Sequence, residues 1–171
     1  CVCASAEDED VQNRKIPMIP DRFAEAIATK SLTNGTTDMN FVVTKYKETF
    51  DEVVGHVTTL WFAWLSWTDR DCEELVNLLP YCTSLERLFL GSNNITANGA
   101  LALVVVAKYV PNLISMDLSD NPIAENMEDA LRTQWETSGK TPGALRLGQT
   151  SGKTPGAKSL GSLGGHRSEA T

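Results

Sequence analysis

Histidine and cysteine carry the side chains best suited to acid–base or nucleophilic chemistry, and this sequence has few of them. Histidine occurs twice, at His56 and His166, and His56 has no Cys or carboxylate beside it in a recognisable catalytic motif. The four cysteines are too few for a disulfide scaffold and include no CxxC pair for zinc or redox chemistry. The sequence therefore predicts no catalytic residue, no cofactor and no metal ion. A small enzyme that uses Cys72 or His56 is the alternative.

Two Gly-Lys-Thr triplets, at residues 139–141 and 152–154, are similar to the end of a phosphate-binding loop. Such a loop also needs a glycine five positions before the second glycine, with a strand before the motif and a helix after it. Gln134 and Leu147 occupy the two leading positions. Neither triplet precedes a recognisable helix, so the sequence does not predict nucleotide binding.

Acidic residues cluster at Asp69, Asp71, Glu73 and Glu74. A calcium-binding loop would need a glycine for its sharp turn, and none is present. Carboxylates are favourable in the first turn of a helix because they interact with its dipole. The cluster therefore predicts the start of a helix.

The composition is that of an average globular domain. The 171 residues are 42% hydrophobic and 22% charged, and no apolar run approaches the roughly 20 residues that span a bilayer. Residues 1–137 carry 10 Lys/Arg against 21 Asp/Glu, whereas residues 138–171 carry five Lys/Arg against Glu169. The acidic body argues against nucleic-acid binding, which needs a basic face. The basic tail is either solvated or in contact with an acidic partner.

A pattern of apolar residues repeats with a period of 28. Residues 85–95 fit L-x-x-L-x-L-x-x-N-x-I, and residues 113–123 fit it again. Residues 57–67 keep the apolar positions but have Leu65 in place of the asparagine, and Leu145 and Leu147 form a truncated copy. A fixed period of this length indicates a repeat architecture. The pattern positions of the two full copies are Leu85, Leu88, Leu90, Asn93 and Ile95, then Leu113, Met116, Leu118, Asn121 and Ile123.

This pattern resembles the leucine-rich repeat of the ribonuclease-inhibitor-like class, over roughly residues 57–147. The resemblance implies an α/β fold: a short right-handed solenoid with a small parallel sheet on its concave face and helices on its convex face. It also implies that Asn93 and Asn121 satisfy backbone groups at the turn after each strand. Because one strand–helix unit cannot bury its apolar face alone, stacked units form a continuous core.

The spacing within each copy predicts its elements. Leu88 and Leu90 alternate, so both point inward from a short strand. Cys72 and Cys82 hold the positions of Ala100 and Val110 in the next copy, which favours buried small hydrophobic side chains over reactive thiols. Helical apolar stripes are predicted for Cys72, Leu75, Val76, Leu78 and Leu79; for Ala100, Leu101, Leu103, Val104 and Ala107; and for Met127, Ala130, Leu131 and Trp135.

Four regions follow from these boundaries. Residues 1–20 are predicted to be an extended or flexible N-terminus, with Pro17 and Pro20 in an extended lead-in. Residues 21–56 form a helical cap, in which Thr37 or Asp38 N-caps the second helix. Residues 57–148 hold the repeats. Residues 149–171 form a flexible, basic Gly/Ser/Lys tail that partly duplicates residues 137–144.

The location of the protein is predicted as cytoplasmic by default. Residues 4–6, Ala-Ser-Ala, precede an acidic run and have the small-x-small form of a signal-peptidase site, and the first residue is not Met. An organellar or secretory location is therefore the alternative. Asn34 and Asn94 begin glycosylation sequons, a triplet that is also frequent by chance.

Residues that alternate with the inward leucines are expected to point out of the sheet in columns. The repeat spacing gives one column of Trp61, Phe89, Asp117 and Arg146. A second column comprises Thr59, Arg87 and Ser115, a third Ala63, Gly91 and Ser119, and a fourth, near the turn, Trp64, Ser92 and Asp120. The alternative is that the N-terminal cap covers Trp61 and Trp64. Predicted partner-binding residues are Thr59, Trp61, Trp64, Arg87, Phe89, Ser115, Asp117 and Arg146.

We therefore expect a non-catalytic protein–protein interaction module. In proteins of this class the concave sheet face commonly holds a protein partner, and solvent-facing aromatic residues are typical binding hot spots. The alternative is a structural or accessory subunit fixed in a larger assembly, organellar or membrane-associated.

The tail prediction can be tested by truncation. Cutting the chain after Gly148 is expected to leave cooperative thermal unfolding intact, because residues 149–171 offer almost no apolar surface to bury. Circular dichroism melting of residues 1–148 beside the full chain measures this. Loss of the cooperative transition would show that the tail belongs to the core.

Overall fold

The fold is mixed α/β, as the repeat pattern predicts, in a computed structural model that describes residues 15–30 and 36–149. The strands in these ranges are β1 (Thr59–Trp61), β2 (Arg87–Phe89), β3 (Ser115–Asp117) and β4 (Leu145–Arg146). The helices are α1 (Pro20–Ala28), α2 (Thr36–Gly55), α3 (Asp69–Leu78), α4 (Ala97–Val106) and α5 (Glu125–Thr137), and 3-10 turns follow α3 (Leu79–Tyr81) and α4 (Ala107–Tyr109).

The four strands form one parallel sheet in the order β1-β2-β3-β4. Leu60 pairs with Leu88, and Leu88 pairs with Met116, so each step across the sheet is 28 residues. The last step is 29 residues, because Met116 pairs with Leu145. One helix connects each strand to the next, which gives parallel neighbours the crossover that they need.

The core lies between the sheet and helices α3, α4 and α5. Leu88, Leu90 and Leu118 are buried against it, which confirms their predicted inward direction. The predicted helical stripes are partly wrong, because Leu101 and Ala130 are exposed. Both residues lie on the outer surface of their helices, where no neighbouring element covers them. The buried helical residues are Cys72, Leu75 and Leu78 in α3, Gly99, Ala100, Leu103, Val104 and Val106 in α4, and Leu131 and Trp135 in α5.

Two carboxylates of the acidic cluster fix the starts of α3 and α4. Asp71 Oδ2 accepts a hydrogen bond from the Thr68 N–H at 2.7 Å, and so caps its own helix. Asp69 accepts bonds from the backbone N–H and the hydroxyl of Thr96, at 2.7 and 2.6 Å. A Cβ at Gly99 would lie 2.5 Å from Asp69 Oδ1, so the close approach of the two helices requires glycine there. The acids mark helix starts, as predicted.

The N-terminal helices pack on the first strand–helix unit through aromatic residues. Phe23 of α1 stacks on Tyr46 of α2 with ring centroids 3.8 Å apart. Phe50 of α2 meets Tyr81 edge-on at 5.5 Å, just after α3. Phe50 and Val54 are buried as part of the core.

Two predictions about this region are wrong in detail. Pro20 is the first residue of α1 and not part of an extended lead-in, because proline at the first helical position loses no hydrogen bond. Helix α2 begins at Thr36, so Thr37 and Asp38 lie within its first turn and neither is the N-cap. The cleavage-like site at residues 4–6, the Asn34 sequon, the triplet at residues 152–154 and nearly all of the tail lie outside the described residues.

The core can be tested at Leu90, a fully buried residue directly after β2. Leu90→Ala is expected to lower the free energy of unfolding by about 2–5 kcal/mol, because it removes buried surface and leaves a cavity. Chemical denaturation of both proteins measures the loss. A wild-type midpoint in the variant would contradict the register of the strands.

Candidate interaction surface

The outer face of the sheet brings the predicted first column together. The pairing register places Trp61 beside Phe89, Phe89 beside Asp117, and Asp117 beside Arg146. The Trp61 and Phe89 rings are in contact, with centroids 4.5 Å apart. The column thus passes from two aromatic side chains to an acid and then to a base.

Trp64 joins these aromatic residues from the turn after β1. Its indole lies 6.2 Å from that of Trp61, centroid to centroid, and the two residues are 60% and 44% exposed. The described N-terminal helices therefore leave both rings accessible. Trp61, Trp64 and Phe89 are named the aromatic cluster below.

An unusual backbone conformation places Trp64 there. Its φ is +59°, in the left-handed region that bulky residues rarely adopt. Ser92 and Asp120 have φ values of +57° and +56° at the same point of the next two copies. Because the chain turns in the same way after each strand, the fourth column shares one backbone geometry and differs only in side chain.

Asp117 and Arg146 form the polar end of the first column. Arg146 Nη1 lies 3.5 Å from Asp117 Oδ2, with the arginine side chain 64% exposed and the aspartate 16% exposed. Asp117 Oδ1 also accepts hydrogen bonds from the Ser119 N–H at 3.0 Å and the Ser119 hydroxyl at 2.6 Å. The carboxylate is thus held in place, whereas the guanidinium extends into solvent.

The other columns differ in exposure. Thr59 and Arg87 are exposed and Ser115 is half-buried, so the second column lines the face. The third column was expected to face outward, but Ala63 and Ser119 are buried, and the Ser119 hydroxyl donates to Asp117 Oδ1 at 2.6 Å. Together the columns bound a shallow groove of about 270 Å³. Its lining residues are Trp61, Ala63, Trp64, Phe89, Gly91, Ser92, Asp117, Ser119, Asp120 and Arg146.

Buried asparagine amides fix the turns behind this face. Asn93 Oδ1 accepts hydrogen bonds from the backbone N–H groups of Leu65 and Trp67, at 2.9 and 3.0 Å. Its Nδ2 donates to the carbonyl oxygens of Phe62 and Leu90, at 2.7 and 2.9 Å. One side chain therefore satisfies four backbone groups, three of them in the preceding copy.

Asn121 repeats this arrangement one copy later. Its Oδ1 accepts from the Ile95 N–H at 3.0 Å, and its Nδ2 donates to the carbonyl oxygens of Leu90 and Leu118, at 2.9 and 3.1 Å. Both asparagines are buried. Their bonds to backbone groups are those expected from the resemblance.

The candidate reactive residues lie elsewhere. His56 is exposed, and its Nδ1 lies 2.6 Å from the Glu52 carbonyl oxygen. Lys140 of the first Gly-Lys-Thr triplet lies with its Nζ 2.5 Å from the Val110 carbonyl oxygen, and burial lowers its pKa. The triplet is part of the turn that follows α5 and precedes β4. These groups do not converge on the groove.

Cys72 and Cys82 are free and buried, as predicted. Burial, with a smaller effect from the nearby carboxylates of Asp69 and Asp71, raises the pKa of Cys72 to about 12. Burial raises the pKa of Cys82 to about 11. Both thiols therefore remain protonated and unreactive in the folded protein near neutral pH.

Leu101 was predicted to lie in the apolar stripe of α4, but it is 41% exposed. Val105, one turn further on, is 39% exposed. The sequence did contain a sign of this exposure. The residues 28 positions before Leu101 and Val105 are Glu73 and Asn77, and those 28 positions after them are Asp129 and Thr133. Polar residues at equivalent positions indicate a solvent-facing side.

A comparison of the sequence with models of protein families and with curated proteins found no match. Among the helices of residues 15–30 and 36–149, none combines the length and apolar character needed to cross a membrane.

The burial of Cys72 predicts a pH dependence of stability. The folded pKa lies above the value of 9.0 for an unperturbed thiol, so the unfolded chain loses its proton first as pH rises. The contribution of the protonated thiol to the free energy of unfolding is fully present below pH 9. It is lost between about pH 9 and 12. The loss is at most about 1.4 kcal/mol per pH unit.

Cys72→Ala is expected to make the free energy of unfolding fall less steeply above pH 9. Alanine should fit, since Ala100 holds the equivalent position. Urea denaturation of both proteins from pH 7 to pH 10.5 measures the two slopes. Equal slopes would mean that the thiol ionises as readily in the folded chain as in the unfolded one.

Proposed function

We propose that this chain is a leucine-rich repeat protein of the ribonuclease-inhibitor-like class, and that it binds a protein partner on the outer face of its sheet. The 28-residue register of the strands and the asparagine bonds between successive copies support the class. In a solenoid of this class, the sheet face is the concave surface and α3, α4 and α5 form the convex one. The partner contacts the aromatic cluster, Asp117 and Arg146 first.

The observation that carries this proposal is the exposure of the aromatic cluster. Trp61 contacts both Trp64 and Phe89 on one face; the two indoles are exposed and the Phe89 ring is half-buried. Aromatic side chains bring large contact area at low conformational cost, and they dominate the energy of many interfaces. A partner gains most by covering these rings.

The polar end of the column supplies orientation. The bonds from Ser119 hold the Asp117 carboxylate, while Arg146 is mostly exposed and can pair with a partner carboxylate. Charged groups at the edge of an apolar contact contribute specificity and association rate more than affinity. Arg87 and Thr59 extend this polar border along the second column.

Phe89→Ala is the sharpest test, because Phe89 lies at the centre of the face and is only half-buried. The variant is expected to weaken partner binding by more than about 1 kcal/mol. It should cost no more than about 1.5 kcal/mol in folding stability, since it loses chiefly its ring contact with Trp61. Binding is measured by titrating the purified partner, identified by mass spectrometry after capture from native extract on the immobilised full chain.

Phe41→Ala is the matched control, because Phe41 is an exposed phenylalanine on α2, away from the sheet. It should bind the partner as wild type does. A partner that binds the two variants equally well would place the interaction elsewhere. A large loss of stability in Phe89→Ala with unchanged binding per folded molecule would mean that Phe89 belongs to the core.

A further inference from the structure

Helix α4 has an apolar surface on its solvent side. Its sequence, ANGALALVVV, contains no charged residue, and Leu101 and Val105 lie one turn apart on the outer side. Tyr109, 59% exposed, follows in the turn after the helix, and Lys108 Nζ lies 4.7 Å from the centroid of its ring. These three residues are named the α4 stripe. A helix that is apolar on all sides is normally buried, so the exposure of these side chains among the described residues is unusual.

The neighbouring helices show that the fold itself does not require this surface. The positions equivalent to Leu101 are Glu73 in α3 and Asp129 in α5, and those equivalent to Val105 are Asn77 and Thr133. All four of these polar residues are exposed. The fold therefore accepts polar side chains at these positions, and the apolar pair in α4 is particular to that helix.

Acidic helices flank the stripe on both sides. Helices α3 and α5 each pack directly on α4. Each of them carries four carboxylates against one arginine, and the α5 arginine, Arg132, already pairs with Glu128 at 3.3 Å. The carboxylates are Asp69, Asp71, Glu73 and Glu74 in α3, and Glu125, Glu128, Asp129 and Glu136 in α5. Asp69, Asp71 and Glu128 are engaged in capping bonds and an ion pair, whereas Glu73 and Asp129, at positions equivalent to Leu101, are exposed. The surface is thus an apolar strip with an exposed carboxylate on each side.

We propose that the α4 stripe docks an amphipathic helix of a partner protein, one whose apolar face is bordered by lysine or arginine. The apolar face of such a helix covers Leu101, Val105 and Tyr109, and its basic borders meet the carboxylates of α3 and α5. Binding of an amphipathic helix along an apolar surface is a common mode of recognition. This site lies on the helical side of the protein and does not depend on the sheet face.

Charge favours this occupant over two others. A second copy of the chain, docked stripe to stripe, would bring the acidic borders of both copies together. An anionic membrane surface would likewise meet like charge. Like charges opposed across an interface cost several kcal/mol, whereas a basic helix gains from the same borders.

The test uses the full chain and two fluorescent model peptides of about 18 residues. Both peptides place leucine at i, i+3, i+4 and i+7 through two turns or more; one has lysine at the flanking positions and the other glutamate. Fluorescence anisotropy is expected to show saturable binding of the lysine peptide, at least about tenfold tighter than that of the glutamate peptide. The double variant Leu101→Gln/Val105→Gln should bind the lysine peptide about tenfold or more weakly than wild type, because it removes the apolar contact.

Two further variants of the chain separate the charged contribution to binding from the apolar one. Glu73→Gln/Asp129→Asn should weaken binding of the lysine peptide less than Leu101→Gln/Val105→Gln does. It should also reduce the salt dependence of that binding. Phe41→Gln, which removes an exposed apolar residue on α2, should bind as wild type. Circular dichroism melting of every variant confirms that it is folded.

Four results would overturn the proposal. They are failure of the lysine peptide to bind saturably, equal binding of both peptides, unchanged binding by the glutamine double variant, and loss of binding in Phe41→Gln. Sedimentation that shows a dimer of the wild type but not of the double variant would assign the stripe to a second copy. Flotation with phosphatidylserine vesicles that the double variant abolishes would assign it to a membrane surface. Failure here leaves the sheet-face proposal standing, since Phe89→Ala tests that independently.

Discussion

The rest of the structure depends on the buried side-chain amide that joins one strand–helix unit to the one before it. Asn93 bonds four backbone groups and Asn121 repeats the arrangement. A buried backbone group without a partner costs about 1–3 kcal/mol, so these turns could not be buried without such a side chain. Because each amide crosses to the preceding unit, it also sets the stacking distance and the 28-residue step.

Once the turns are fixed, the chemistry of the sheet face depends on which side chains the shared backbone carries. The left-handed turn position holds tryptophan, then serine, then aspartate in the first three copies, all at nearly the same φ. Placing the bulky Trp64 there involves a strained conformation, which persists because the bonds from Asn93 to the residues on either side of the turn hold it. This strained conformation places the exposed indole of Trp64 near Trp61, which completes the aromatic cluster.

On the helical side too, equivalent positions of successive copies present different side chains to solvent. The contacts between Asp69, Thr96 and Gly99 bring α3 and α4 close together, so equivalent residues of the two helices lie side by side. The exposed side chains therefore change from acidic on α3 to apolar on α4 and to acidic again on α5. The protein thus presents two surfaces of different chemistry: an aromatic groove on the sheet and an apolar strip with acidic borders on the helices.

The sequence by itself determined the strand register, the inward leucines, the two asparagine turns and the burial of both thiols, because a fixed 28-residue period repeats local rules that need no knowledge of distant contacts. Exposure was decided only by the tertiary structure. Leu101 has the same type and helical spacing as the buried Leu103, and Ser119 alternates with inward leucines yet is buried. Periodicity assigns a residue to a face of its own element. Burial depends on which other groups pack on that face, and for Leu101 and Ser119 only the three-dimensional packing decides this.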